Sequence, residues 1–175
     1  MQIDRIPEWH LSAVDDAEIA ALLACCFATD FGGRSFFTHR HHLRLVVRQS
    51  GRIVGHMALT LRAVQLGGRL ATITGLAEVA TDPDHRGQGI AAALLQAAIA
   101  EAKSSPAAFL LLFGGAKVYA AAGCRAVANR IAHVEIKGIR AARLVSDGDD
   151  SLMVLPLTDD MWPDDALLDL RGPMF

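Results

Sequence analysis

The chain has 175 residues, of which 52% are hydrophobic, and this suits one compact domain with an ample core. Residues 1–7 contain acid and proline where a signal peptide needs an apolar segment, and no apolar run reaches membrane-spanning length. We therefore expect a single domain over residues 1–175, located in the cytoplasm. The three cysteines, two of them adjacent, suggest neither a disulfide framework nor a zinc site, so we expect reduced, buried thiols.

Charge is unevenly distributed along the chain. Residues 147–175 contain eight aspartates and one cation, whereas residues 1–146 carry 16 Lys and Arg against 11 Asp and Glu. A basic body could attract a phosphorylated ligand, and an acidic tail could attract a cationic one. A merely solvated, flexible tail is the alternative.

The first half of the chain reads as a helix followed by strands. Apolar residues at helical spacing predict a helix over 17–28, and Gly32-Gly33 follows it. Three strands come next, separated by glycine turns at 50–51 and 67–68, and they form an antiparallel meander. The predicted strands cover 43–48, 53–66 and 70–81.

The second half alternates between helix and strand. A helix follows Pro83, the apolar run 108–113 is typical of a buried strand, and a short helix covers 116–122. Two more strands, 126–136 and 152–157, are separated by a polar loop at 147–150. The order predicts an α+β fold with a central mixed, mostly antiparallel sheet flanked by helices.

The segment 82–91 lies between a strand end and a helix start and contains Gly87 and Gly89. Glycines allow successive N–H groups to face a ligand, and a helix N-terminus adds partial positive charge. Such a loop suits a pyrophosphate, with Arg86 adding a charge-assisted contact.

Three kinds of phosphate loop compete for this segment. A Walker loop fails because Gly-Lys-Ser/Thr is absent. A dinucleotide-binding fingerprint matches by spacing at Gly87, Gly89 and Ala92. However, the preceding strand belongs to an antiparallel meander, and no acid that could bind a ribose occurs near 111–113.

The third kind of phosphate loop is indicated by a resemblance to a known family. The pattern Arg86-x-x-Gly89-x-Ala91 resembles the Arg/Gln-x-x-Gly-x-Gly/Ala signature of the GNAT superfamily of acyl-CoA N-acyltransferases. The resemblance implies a GNAT-like domain that uses acetyl-CoA as acyl donor and no metal. It also implies that the strand edge 79–81 pairs with the pantetheine arm while the loop amides hold the pyrophosphate. The expected coenzyme-binding residues are Val79, Ala80, Thr81, Arg86, Gly87, Gln88, Gly89, Ile90, Ala91 and Ala92.

Tyr119 is the only tyrosine in the chain. Its segment 118–124 resembles the family's Tyr-x-x-x-Gly-aromatic segment, in which the hydroxyl meets the coenzyme sulfur, although Cys124 replaces the aromatic residue. A tyrosine is protonated at neutral pH, so Tyr119 can protonate a departing thiolate as general acid. The alternative is a core tyrosine on a short helix.

Glu78 is the only acid between Asp30 and Asp82 and lies in an apolar segment. Members of the superfamily often place a catalytic glutamate on this strand. Ungapped alignment to the aminoglycoside branch of the superfamily puts that glutamate opposite Ala77. A shift of one residue reverses the face of a strand on which a side chain lies. A bulge can restore the register, so two roles of Glu78 stay open. Glu78 is either the general base or a solvent-facing carboxylate. In the second case the main-chain N–H near Val79 would stabilise the oxyanion.

Other polar residues are weaker candidates. His39, His41 and His42 are close enough to suggest a metal, but carboxylate or cysteine partners are missing, so a polar helix face or a substrate-lining segment is expected. His56 is expected to be a hydrogen-bonded core histidine. Cys124 as acyl carrier lacks a His and Asp pair to activate it.

The strand segment 53–58 and the tail resemble the aminoglycoside 2′-N-acetyltransferase and nodulation N-acyltransferase branch, which acts on amino sugars. This resemblance implies a small cationic amine acceptor, with Asp169 and the carboxylate of Phe175 as substrate contacts. We expect neither a nucleic acid nor a membrane as partner, and a homodimer is left open. The alternative function is a non-catalytic acyl-CoA-binding or regulatory module on the same fold.

Overall fold

A computed structural model describes residues 1–115, 117–137, 140–148 and 151–175, and only the backbone of 137 and 140–148. The predicted helix start at Ala116 and residues 149–150 of the predicted loop lie outside the described residues. Among the described residues, no helix has the length and apolar character that a membrane span requires.

The elements alternate between helix and strand as the sequence predicts. In chain order they are β1 (Asp4–Pro7), a 3-10 turn (Glu8–His10), α1 (Ala13–Cys26), β2 (Leu43–Gln49), β3 (Arg52–Leu66), β4 (Arg69–Thr81), a second 3-10 turn (Pro83–His85), α2 (Ile90–Lys103), β5 (Phe109–Phe113), α3 (Lys117–Ala121), β6 (Arg125–Ala126), β7 (Arg130–Lys137), β8 (Arg140–Gly148), β9 (Leu152–Pro156) and β10 (Leu168–Asp169).

The chain divides into two compact units. The first contains Met1–Thr60 and Leu76–Glu101, and the second contains Leu61–Gly75 and Ala102–Phe175. Strands β3 and β4 each run through both. The expectation of a single domain over residues 1–175 stays a prediction.

The sheet is mixed and mostly antiparallel, as predicted. In the first unit β2 pairs with both β1 and β3, antiparallel in each case. In the second unit the strand order is β6-β9-β5-β4-β3-β10-β7-β8. Strand β10 pairs with β7 in parallel, with Leu168 opposite Ile131.

The core of the first unit is built on α1. Ser12 caps this helix, its side chain accepting the N–H of Asp15 at 3.1 Å. The helix therefore begins four residues before the predicted start at Ala17, because the cap and the acids that favour a helix N-terminus lie upstream of the apolar run. The buried cluster contains Ile6, Ile19, Leu22, Leu23, Phe31, Val46, Ile53 and Ala80.

The core of the second unit includes the acidic tail. Leu168 and Leu170 are fully buried, and Met174 and Phe175 pack against the same cluster. A tail that contributes a strand and core side chains is not a frayed terminus. The buried cluster contains Val64, Leu66, Ile73, Phe109, Leu111, Val127, Ile131, Leu152, Val154, Trp162, Leu168 and Leu170.

Several expectations need correction. The predicted strand 126–136 is two strands, because β6 pairs with β9 whereas β7 pairs with β8 and β10, and buried Asn129 lies at the break between them. Strand β8 occupies residues that we expected to lead into a loop. Among the thiols only Cys124 is buried, since Cys25 is exposed and Cys26 is half-buried at the end of α1, although all three are free.

Candidate active site

The loop before α2 has the backbone that anion binding requires. Gly87 and Gly89 both have a φ of +77°, while Gln88 between them is not in the left-handed region. Alternation of this kind turns successive N–H groups to one side and forms an anion-binding concavity. No atom lies within 4 Å of a Cβ built on either glycine, so the loop faces open space.

Neighbouring contacts hold the loop in place. Asp82 caps the turn Pro83–His85 by accepting the N–H of Asp84 at 2.9 Å, and its own N–H donates to Val54 O at 2.9 Å. Gln49 donates its side-chain amide to Gln88 Oε1 at 3.1 Å. The loop before α2 is therefore tied to strand β3 and to the end of β2.

Strand β3 also positions the start of α2. A Cβ on Gly55 would collide with the Ile90 side chain and would lie 3.1 Å from Leu94. Glycine at this position lets the helix N-terminus approach the strand closely, and the first helical amides are thereby presented at the loop.

The strand edge that precedes the loop carries a thiol contact. Cys26 Sγ donates to the Thr81 carbonyl at 3.3 Å. Burial, followed by the interaction with Cys25, raises the pKa of Cys26 to about 11, whereas Arg86 acts in the opposite direction. The thiol is therefore protonated at neutral pH and serves as a donor to the strand.

Glu78 lies on β4 immediately before that edge and has an unusual backbone. Its φ of +49° is in the left-handed region, which a non-glycine residue rarely adopts. Such a residue locally re-aims a strand, as a bulge does. The side chain is 9% exposed, so it does not face solvent as the alternative reading required.

Both carboxylate oxygens of Glu78 have partners within the first unit. The N–H of Phe37 donates to Oε1 at 2.7 Å, and His41 Nε2 donates to Oε2. The guanidinium of Arg44 lies 4.0 Å from Oε2. The sequence analysis named His41 only as part of the histidine segment and missed Arg44, although a lone arginine within the apolar segment 43–47 signals a buried ion pair.

Arg44 is fully buried and satisfied by several acceptors. It forms a bidentate pair with Glu8, at 2.8 and 3.1 Å, and donates to Ser35 O at 2.6 Å. Burial raises the pKa of Glu8, but hydrogen bonds and charge from Arg44 and Arg40 outweigh it, and the net pKa is lowered. This ion pair therefore stays charged at neutral pH and supports the segment that carries His41.

His56 is the hydrogen-bonded core histidine that the sequence predicted. Its ring is fully buried, Nδ1 donates to Glu78 O at 2.8 Å, and Nε2 accepts from Arg44 at 3.3 Å. Burial, reinforced by the Arg44 charge, lowers the pKa of His56 to about 3. The neutral ring fixes the main chain at Glu78.

Tyr119 lies in the second unit, on α3. It is 8% exposed, and its ring lies 3.3 Å from a Cβ built on Gly114. Its carbonyl accepts the N–H of Cys124 at 3.0 Å, and this main-chain bond closes the turn that follows α3. Burial, followed by Cys124, raises the pKa of Tyr119 and keeps the hydroxyl protonated.

Asp169 and Phe175 have different partners in the second unit. Asp169 Oδ1 accepts the N–H of Arg171 at 2.8 Å. The Phe175 ring packs against Phe113, with centroids 5.4 Å apart. Their convergence on an acceptor stays a prediction.

A metal is not indicated by the histidine segment. The described residues contain no group of three or more His, Cys, Asp or Glu side chains arranged to hold an ion. His39 and His41 rings lie 5.8 Å apart, but His41 is committed to Glu78.

Solved structures with the same fold are GNAT proteins. A GNAT family N-acetyltransferase (YhbS) from Escherichia coli in complex with CoA aligns with a TM-score of 0.67 at 21% identity, covering 97% of this chain and 88% of that one. A Brucella melitensis GNAT family acetyltransferase in complex with acetyl-CoA gives 0.60 at 21%, covering 94% of each. The Escherichia coli ribosomal-protein-S18-alanine N-acetyltransferase gives 0.60 at 18%, covering 93% and 100%. No curated protein sequence matches the chain.

A family profile decides the assignment. The profile of the acetyltransferase (GNAT) domain matches residues 12–127, which is more than half of the chain and includes the loop, Glu78 and Tyr119. The predicted reaction class, acyl-CoA-dependent N-acetyl transfer, is thereby confirmed, whereas the aminoglycoside branch stays a prediction. The protein belongs to the GNAT family of acetyltransferases.

Proposed function

We propose that the enzyme transfers the acetyl group of acetyl-CoA directly to a primary amine of a small cationic acceptor, such as an amino sugar or aminoglycoside. The observation that carries the proposal is the position of the Glu78 carboxylate. Two hydrogen-bond donors hold it, and Glu78 immediately precedes the strand edge 79–81. It provides a base next to the backbone on which we expect the coenzyme to lie.

Acetyl-CoA fits the first unit's loop on chemical grounds. Its pyrophosphate suits the N–H groups of residues 88–92 at the N-terminus of α2, and its pantetheine amides suit the polar edge of 79–81. Arg86 is exposed beside the loop and adds a positive charge. The complexes of the Escherichia coli and Brucella neighbours with CoA and acetyl-CoA support the same donor.

The reaction needs one proton removed and one supplied. The amine nitrogen attacks the thioester carbonyl, a C–N bond forms, and Glu78 accepts the proton that the nitrogen loses. The tetrahedral intermediate then expels the thiolate as the C–S bond breaks. Tyr119 donates its hydroxyl proton to that thiolate, since the buried hydroxyl is protonated at neutral pH. Both residues are expected to return to their starting states by exchange with water.

The acceptor's charge follows from the distribution of acids. Five of the eight tail aspartates lie within residues 151–175, whose apolar residues dock that segment in the core of the second unit. A fixed acidic surface attracts a cation more effectively than a mobile one, because no ordering entropy is lost on binding. Asp169 and the terminal carboxylate of Phe175 are the contacts that we propose.

The experiment is release of free thiol from acetyl-CoA in the presence of separate amines. The panel contains an aminoglycoside, a simple amino sugar, a polyamine, a neutral primary amine and a peptide with an N-terminal alanine. We expect release with the cationic small molecules and little with the peptide. Preference for the peptide would assign a protein acceptor, as the name of the S18-alanine neighbour suggests for that enzyme.

The same assay tests the base. Glu78→Gln should lower kcat by about 100-fold or more and flatten the acidic limb of the pH profile. Glu101→Gln, which removes a glutamate paired with exposed Arg5, is the matched control and should leave both unchanged. Coenzyme binding without thiol release for every amine would instead support a non-catalytic acyl-CoA-binding module.

A further inference from the structure

His41 is a buried side chain with a polar contact on each ring nitrogen. It is 1% exposed and lies two residues before β2. Nε2 donates to Glu78 Oε2, and Nδ1 lies 3.1 Å from Thr60 Oγ1. Because a carboxylate only accepts hydrogen bonds, Nε2 carries the proton of the neutral ring and Nδ1 accepts from the Thr60 hydroxyl.

We propose that His41 is a positioning residue for acetyl transfer, and that its ring aims the Glu78 carboxylate at the acceptor amine. The inference rests on the proposed role of Glu78. It adds a residue to that role.

The first step of the argument concerns the freedom of the carboxylate. Phe37 N–H occupies one acceptor position on Oε1 and His41 occupies one on Oε2, while the main chain is fixed by the His56 bond to Glu78 O. A carboxylate offers about four acceptor positions, so each oxygen keeps one for an amine or a bridging water. Two donors from different segments therefore orient the base without saturating it.

The second step concerns the cost of the geometry. A non-glycine residue in the left-handed region is strained, and the strain persists only where surrounding contacts enforce it. Glu78 meets this condition, because its side chain and its carbonyl are both anchored. Loss of the His41 contact should therefore let the carboxylate rotate away from a productive position.

The test compares His41→Gln with His41→Phe, using acetyl-CoA and the best acceptor of the wild-type enzyme. The glutamine amide can donate at the position of Nε2, whereas phenylalanine has no donor. We expect His41→Phe to lower kcat by about tenfold or more without changing the KM for acetyl-CoA. His41→Gln should recover most of kcat.

His10→Gln is the matched control, because His10 is exposed and the same substitution there should leave the rate unchanged. Wild-type kcat in both His41 variants would overturn the inference while leaving the proposed function intact. Equal losses of kcat in both variants would also overturn it, because they indicate a purely structural role. Absence of thiol release by the wild-type enzyme with every amine overturns the proposed function, and this inference with it.

Discussion

The aromatic ring of Phe175 lies directly over Gly75, so that a Cβ built on the glycine would be 2.7 Å from the ring. Glycine inside a strand ordinarily weakens it, and alanine there usually stabilises. Here the ring occupies the space that a side chain needs. The second unit thus accommodates its C-terminal residue by omitting a side chain on β4.

Gly75→Ala should therefore destabilise the protein by about 1–3 kcal/mol, because the added methyl displaces a packed ring. Urea unfolding measures the change. Gly115→Ala is the control, since nothing lies within 4 Å of its Cβ position. In a Phe175→Ala background the cost of Gly75→Ala should largely disappear, and a cost that persists there would contradict the packing argument.

Gly89→Glu should weaken acetyl-CoA binding severely, because it places a negative side chain where we expect the pyrophosphate to approach backbone amides. Isothermal titration provides the measurement. Gly68→Glu controls for backbone strain, since Gly68 has a comparable φ of +83° and equally open space. Equal affinity in the two folded variants would remove the coenzyme assignment from this loop.

Tyr119→Phe should lower turnover by about 10- to 1000-fold while stability and acetyl-CoA affinity change little, since only a hydroxyl is lost. Burial raises the pKa of Tyr119, so the basic limb of the wild-type kcat profile that reports this acid should lie above the ordinary tyrosine range near 10. Stopped assays at saturating substrates across pH test both points. An unchanged rate would mean that the thiolate leaves without this acid.

The buried ring of His56 should make the protein sensitive to acid. Its folded pKa is about 3, whereas in the unfolded chain it is about 6.5, so between these values the unfolded state binds the extra proton. The free energy of unfolding should fall by about 2 kcal/mol between pH 7 and pH 5 from this group alone.

Urea unfolding of wild type and His56→Asn at both pH values isolates the effect. The variant should be less stable overall but should depend less on pH, because asparagine can replace the Nδ1 donor without titrating. His10→Asn should retain the wild-type pH dependence. An equal decrease in wild type and His56→Asn would show that another group controls the acid sensitivity.

Asp169→Asn should raise the KM for a cationic acceptor severalfold and leave acetyl-CoA affinity intact. The change is conservative for folding, since the amide oxygen can still accept the N–H of Arg171. Removing residues 170–175 is a poorer test, because Leu170 is fully buried. Asp164→Asn makes the same charge change at an exposed acid of the tail. If both substitutions raise the acceptor KM equally, the tail attracts the cation by its overall charge and not through a specific contact with Asp169.

The features that the sequence predicted well are those with a local cause. The hairpin between β3 and β4 follows from Gly67-Gly68, and both glycines have the positive φ that such a turn requires. The conformation of the loop before α2 follows in the same way from Gly87 and Gly89, which both have a φ of +77°. Glycine spacing, apolar periodicity and helix stops all act over a few residues, so they can be read without knowing the fold.

The features that the sequence missed depend on distant partners. Strands β1 and β10 have four and two residues and acquire strand geometry only by pairing with β2, β3 and β7. The surroundings of Glu78 are equally non-local, because Phe37 and His41 reach it across about 40 positions of chain. The histidine segment was noticed, but only the tertiary structure selects His41 from its neighbours.

The position of β10 has a consequence for how the protein is made. Leu168 pairs with Leu66, about 100 residues earlier, and in the second unit β10 is the strand that links β3 to β7. During translation β3 and β7 therefore emerge from the ribosome well before the strand that joins them. One edge of each strand stays unpaired until β10 has been synthesised. Because pairing over such separations is slow and open edges invite association, this is the stage at which the nascent chain is most exposed to aggregation and most dependent on chaperones.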